Sequence, residues 1–448
     1  AGSIAADQLA FIRADGEIRG DSELSSLQIS ISNALLNLPF GRGDVAFGFE
    51  HRQESTSKRP GPLLSSGGTI GSVNLQQTEG DRHVSELYAE TVFPAWKSAS
   101  DRYRLDVEAA VRYSNYSDFG STTNPKIGLR LQAGAEYLLR ATYAEGFRAP
   151  SLNQLYEGAT EDQAFIDDPC QQAANIGVLP GCSQLADPTR NQFLVVTGGN
   201  PALQSESAQT YGAGLVWTPR RLPGMVFSAD YFRIEQEDVV DASAQFIVNQ
   251  NALTGRFEEH VSRDEAGNLT LVSARNINIG ERRISGVDLA VNYTHPERRW
   301  GQLTLTGSAT WIEEYRARLS ADAPALDLAG TFRDEASEGL GGIPEWKAHL
   351  GLRWDRRRWR GNYQIHYVGQ MKETLSGGGS HSIKPWLVHD LQISYKFDLF
   401  EGLRWTLGLD NALDAEAPLA ITAFNDNIDG RTHELKGRFW YTKLSQRF

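Results

Sequence analysis

The stretch YRLDVEAAVRYS, residues 103–114, alternates with a period of two. Tyr103, Leu105, Val107, Ala109, Val111 and Tyr113 fall on one face of an extended chain, and Arg104, Asp106, Glu108, Ala110 and Arg112 on the other. The apolar face can be buried in any greasy environment. The charged face cannot lie against a dry core unless every charge is paired. Similar ladders run through Ala348, Leu350, Leu352 and Trp354, and through Leu391, Ile393, Tyr395 and Phe397. About fifteen such strands are legible between Leu27 and Phe448, and long 3.6-period apolar patterns are absent.

The connections carry the next level of information. Seven are short, at about 39–43, 94–101, 132–135, 218–224, 295–300, 355–358 and 398–402. Seven are longer, at about 55–84, 115–124, 147–208, 236–282, 316–344, 371–388 and 412–437. Short and long alternate along the chain, which puts every long loop at one end of the sheet. A soluble sandwich has no reason to do this, whereas an outer-membrane barrel has short periplasmic turns and long extracellular loops.

Tryptophan placement agrees. Trp96, Trp217, Trp300, Trp354, Trp359 and Trp405 lie in or near short turns, and Trp311, Trp346, Trp386 and Trp440 beside long loops. Aromatic rings favour the two membrane–water interfaces, so strand ends are where girdles form. The dense charge of the opposite face predicts a wide, wet or plugged lumen, and therefore many strands.

Composition is compatible with this reading. Mean hydropathy is −0.41 and no apolar run approaches the 18 or so residues of a spanning helix. Neither fact excludes a barrel, whose lipid-facing and lumen-facing residues alternate. A net charge of −12 argues against a nucleic-acid partner.

Several stretches resemble the TonB-dependent outer-membrane receptor family: EGFRAPSLNQLY (145–156), GNPALQSESAQTYGAGLVW (199–217), ISGVDLAVNY (284–293), IPEWKAHLGLRW (343–354), YQIHYVGQ (363–370), LGLDNALDAEAP (407–418) and the final GRFWYTKLSQRF (437–448). The resemblance implies an all-β fold, a transmembrane antiparallel barrel with about 15 of an expected 22 strands present. It places residues 1–26 in an extracellular loop and residues 27–448 in the C-terminal strands, with the family's plug and energy-coupling segment absent. It also implies an integral outer-membrane location in a Gram-negative bacterium. Expected partners are outer-membrane lipid, the barrel-assembly machinery and a nutrient at the extracellular face. A TonB-type inner-membrane energy transducer would act through the missing N-terminal part. The nutrient expected first is an iron–siderophore complex, with an oligosaccharide or cobalamin importer, or a passive porin-like barrel, as alternatives.

Individual residues follow. Cys170 and Cys182 lie in one long loop, and an extracellular or periplasmic setting permits a disulfide between them. By position, Arg112, Tyr116, Arg148, His366, Trp386, Asn425 and Asp429 are candidate substrate contacts, while a lone lumenal His such as His366 is more often a hydrogen-bonded filler. FNDNIDG (424–430) has the odd-position oxygens of a calcium loop, but Lys436 stands where the bidentate Glu belongs, so no metal is assigned. GRGD (41–44) reads as an ordinary turn after Pro39. No nucleophile–base pair or phosphate-cradling loop emerges, so neither an enzyme nor a cofactor is expected. By the resemblance, the terminal Phe448 is an assembly signal.

Overall fold

A computed structural model describes residues 4–68, 74–241, 243–318, 325–333, 341–375, 379–397, 402–423 and 426–446. Asn425 and Phe448 lie outside the described residues. The sequence pattern becomes one large antiparallel sheet, in which fifteen strands follow one another in a single path. We number these wall strands only. They are β1 (Ile18–Leu38), β2 (Gly41–Pro60), β3 (Thr78–Lys97), β4 (Tyr103–Tyr116), β5 (Gly120–Ala133) and β6 (Tyr137–Arg148). Next come β7 (Glu206–Trp217), β8 (Met225–Asp241), β9 (Ile277–Thr294), β10 (Gln302–Arg318) and β11 (Trp346–Arg356). The last four are β12 (Trp359–Val368), β13 (Trp386–Lys396), β14 (Arg404–Asp410) and β15 (Phe439–Ser445). Sequence order and spatial order coincide, as in an up-and-down barrel wall.

Register puts like with like. Ile29 pairs with Phe49, Phe49 with Leu87 and Leu87 with Tyr113, an exposed apolar row across four strands. On the reverse face Gln28 pairs with Glu50, Glu50 with Glu86 and Glu86 with Ser114. The charges are matched there: Arg104 Nε donates to Asp106 at 2.6 Å, and Lys126 Nζ donates to Glu108 at 2.5 Å. Gly48 is required on this face because a side chain there would collide with the Tyr88 ring directly opposite.

Aromatic rings close the apolar face at both ends. Near the short turns Tyr137, Trp217 and Phe227 are register neighbours, as are Trp359, Tyr395 and Trp405. Near the long loops Tyr143 meets Tyr211 with ring centres 5.1 Å apart, and Trp311 stacks on Trp346 at 6.1 Å. On β11 the two rings Trp346 and Trp354 are eight residues apart, about 26 Å along a strand, close to the height of a lipid-facing band.

Three local expectations change. The connection expected at 115–124 is only Ser117–Phe119, because Gly120 (φ 101°) restarts β5 at once, so the alternation of short and long breaks there. Residues 18–26 continue β1 in register with β2, Ile18 opposite Pro60; IRGDSELSS hides this because a strand beyond the lipid band needs no apolar face. The connection expected at 147–208 starts later, because pairing in β6 runs through Gly146 to Arg148, opposite Glu206, and stops before Pro150.

Four long loops fold into two small β-sheets, and a fifth packs against the second of them. The first sheet orders Val261–Arg263, Leu269–Arg275, Gln192–Gly198 and Thr160–Phe165; the second orders Gly341–Ile343, Thr331–Arg333, Met371–Thr374 and Ser380–Ile383. In each, two hairpins from successive loops join through one parallel central pair. The first packs Phe193, Val195, Leu269 and Val272 under the helix Ala244–Thr254, which supplies Phe246, Ile247 and Val248. Ser243 caps that helix and Gly255 (φ 71°) ends it. Cys170 and Cys182 form a disulfide in the same unit.

Candidate functional site

Two clusters of lumen-facing side chains contain residues singled out from the sequence, and they differ in how fully their polar groups are satisfied. The first lies on β2, β3 and β4. Arg52 donates to Glu54 (2.8 Å), Glu86 (3.2 Å) and the Tyr116 hydroxyl (2.8 Å), while Arg82 donates to Glu54 (2.8 Å) and to the Pro150 carbonyl (2.8 Å). Both guanidinium groups lie over the buried Tyr116 ring, and the rings of Phe119 and Phe147 pack beside it. Arg112 sits over the Tyr88 ring within 3.6 Å of Glu50 and 3.8 Å of Glu86. Nearby, Arg148 is ion-paired with Glu206, which also accepts from the Val240 N–H at 2.9 Å. These contacts anchor the exit of β6. Arg112, Tyr116 and Arg148 thus all bond to other wall residues, while Arg112 also lines an open cavity of about 700 Å³ on β1–β6 and its Nε is buried without a partner among the described residues.

The second cluster lines an open cavity of about 610 Å³ on β10–β13, with residues 430–434 as its roof. Lys347 and His349 come from β11, His366 from β12, and Trp386 and Asp390 from β13. His366 Nε2 is 3.0 Å from Asp390 Oδ2, and its ring lies 4.8 Å from that of His349. Trp386 is buried in the lumen wall rather than in an aromatic girdle, with its ring perpendicular to His433 at 5.7 Å. Asp429 does not line the cavity. It is buried behind it, where Oδ1 accepts from the N–H groups of Arg431 and Thr432 and so shapes the turn that does.

Three polar atoms at or behind this cavity have no partner among the described residues: Trp386 Nε1, His433 Nε2 and Asp429 Oδ2. His433 Nδ1 faces the Asp429 carbonyl at 3.3 Å, which can only accept, so Nδ1 carries the proton and Nε2 is an acceptor. Burial pushes the His433 imidazole below its ordinary pKa, and the opposing pull of Asp429 does not restore it. The site thus offers an indole donor, an imidazole acceptor and the cation of Lys347. Of the sequence candidates, it gathers His366 and Trp386. Lys347 and His349 were readable as the polar face of the strand whose apolar face is Ala348, Leu350 and Leu352, whereas nothing in the sequence marks Arg431 or His433.

The roof is tied to the second loop sheet. Glu373, fully buried, accepts from the Ile421 N–H (2.7 Å), the Thr422 N–H (2.8 Å) and the Thr422 hydroxyl (2.6 Å), and His381 Nδ1 lies at 2.7 Å. Burial raises the pKa of this carboxyl, but the hydrogen bonds from Thr422, His381 and Ile421 outweigh it and leave the value low.

Comparison with known proteins decides the family. The family model for the TonB dependent receptor-like β-barrel matches residues 5–412. The chain belongs to the TonB-dependent receptors. This family is made of receptors and transporters, and in outer-membrane barrels long loops are extracellular and short turns periplasmic. Among solved structures, the chain is similar to the siderophore receptor PirA from Acinetobacter baumannii (15% identity, TM-score 0.63, 95% of this chain and 55% of that one). It is similar to the ferric enterobactin receptor PfeA from Pseudomonas aeruginosa (15%, 0.62, 97% and 54%) and to the ferric-catecholate import receptor Fiu from E. coli K12 (13%, 0.57, 96% and 55%). The chain spans about 55% of the length of these receptors. Among curated proteins, none matches it.

Proposed function

We propose that the chain forms the wall and extracellular cap of an integral outer-membrane receptor of a Gram-negative bacterium, which binds a ferric siderophore and imports it. The observation that carries this reading is the cavity on β10–β13, where Lys347 and Trp386 of the wall face His433 of the loop roof. Ferric catecholates are flat-ringed and anionic, so an indole face, a lysine and a hydrogen-bonding imidazole are suited to them. Each buried polar atom left unpaired costs about 1–3 kcal/mol, which a ligand reaching Trp386 Nε1 or His433 Nε2 would recover. In this reading import is driven by a TonB-type inner-membrane protein acting on the complete receptor, and no reaction is catalysed.

A titration of the purified complete receptor tests this. Ferric catecholate siderophore should quench tryptophan fluorescence saturably, and Lys347→Ala should weaken binding by about tenfold, the equivalent of one charge-assisted contact. Saturable quenching by an oligosaccharide or cobalamin, with none by ferric siderophores, would overturn the assignment.

A further inference from the structure

The short-turn edge of the wall, at the opposite end from the cavity on β10–β13, carries a charge pattern of its own. The chain is acidic overall, with a net charge of −12, yet three successive short turns are strongly basic. Arg221 lies between β7 and β8, Arg298 and Arg299 lie between β9 and β10, and Arg356–Arg358 close the hairpin of β11 and β12. All six are exposed. Besides Asp355, which is already ion-paired with Arg353 and Arg360, Glu297 is the one acid in these three segments. Arg220, beside Arg221, is held 3.6 Å from Glu136. By contrast Arg221, Arg298, Arg299, Arg356 and Arg357 make no side-chain ion pair among the described residues.

The three turns form one frame. The Thr294 N–H donates to the Gly224 carbonyl at 2.9 Å, which joins the first turn to the second. Trp354 Nε1 donates to the Trp300 carbonyl at 2.8 Å, which joins the second to the third. The same contact fixes the height of the arginines, because Trp300, Trp354 and Trp359 belong to the aromatic band at this end of the wall. Arg299 is adjacent to Trp300, Arg356 lies two residues from Trp354, and Arg358 is adjacent to Trp359. Indole rings seat at the level of lipid headgroups, so the guanidinium groups stand beside phosphates rather than out in the periplasm. Guanidinium forks bind phosphate oxygens in pairs, and basic side chains at a membrane surface favour anionic lipid.

We propose that this arginine rim is a binding surface for the headgroups of anionic phospholipids in the periplasmic leaflet, holding a layer of ordered lipid against β7–β12. The test is native mass spectrometry of the complete receptor in detergent with added phosphatidylglycerol or phosphatidylcholine, for the wild type and two quadruple variants. One variant carries Arg298→Gln, Arg299→Gln, Arg356→Gln and Arg357→Gln, and the other carries Lys at the same four positions. The wild type should retain phosphatidylglycerol over phosphatidylcholine by about tenfold or more, because each basic residue at a membrane surface contributes about fivefold. The Gln variant should lose that preference and the Lys variant should keep most of it. An unchanged preference in the Gln variant would overturn the proposal. So would arginine-dependent binding to peptidoglycan sacculi without any lipid preference, which would mark a cell-wall contact instead. Should the Gln variant fail to assemble, raising salt to about 0.5 M must abolish the wild-type preference, and its survival would equally overturn the proposal.

Discussion

Glu373 and Thr422 stand 49 residues apart and are joined by two hydrogen bonds, one from the Thr422 N–H and one from its hydroxyl, at 2.8 and 2.6 Å. Through this pair the loop between β12 and β13 holds the loop between β14 and β15, and the latter roofs the cavity. Glu373→Ala would leave three partly buried donors on Ile421 and Thr422 without their acceptor, at up to about 1–3 kcal/mol each before relaxation and rehydration. The expected result is faster hydrogen exchange across 418–434 and weaker ligand binding, with the wall intact by its heat-modifiable migration. Glu373→Gln, which keeps an acceptor, should be milder.

The same region should respond to pH in two steps. His433 has a lowered pKa in the folded loop, so its contribution is complete above the free-imidazole value of about 6.5 and is lost as pH falls below that toward the folded value. Glu373 has a lowered carboxylate pKa, so its contribution is present above about 4.3 and is lost only as pH falls further. Hydrogen exchange of 418–434 should therefore rise first below about pH 6.5 and again below about pH 4. His433→Gln should remove the first step alone.

In the other loop sheet, Arg263 makes a two-pronged contact with Asp168, its Nη1 and Nη2 donating at 2.6 and 2.8 Å to a carboxylate buried to 3% exposure. Removing one member of a buried pair typically costs about 3–5 kcal/mol, so Arg263→Ala should open this unit. Replacing Cys170 and Cys182 with Ser should cost about 3 kcal/mol or somewhat less by chain entropy, since the closed loop is short. Limited proteolysis should then cut within 160–200 in both variants while the wall strands resist.

Much of the wall was legible because a strand between lipid and lumen must alternate, and lipid tolerates no compromise on its face. Leu350, Leu352 and Trp354 declare β11 from sequence alone, and the strand path of fifteen follows from such ladders. Where lipid ends, the rule lapses. Residues 18–26 and the hairpin at Ser117–Phe119 are paired strand or tight turn, yet they carry polar side chains on both faces and read as loop. The candidate site was legible by halves for a related reason. His366 and Trp386 sit on alternating strands, so their lumen-facing positions follow from period two. His433 reaches the cavity because Asp429 caps a turn in an irregular loop, and no periodicity encodes that fold-back.

The position of Arg431 allows the sharpest test. It is exposed, lines the cavity from the roof, and lies in a chain whose two native cysteines are bridged to each other. In the complete receptor, Arg431→Cys on intact cells should react with a membrane-impermeant maleimide, and saturating ferric siderophore should block the reaction. Labelling only after the outer membrane is opened, or labelling at the same rate with and without every ferric siderophore tried, would contradict the account.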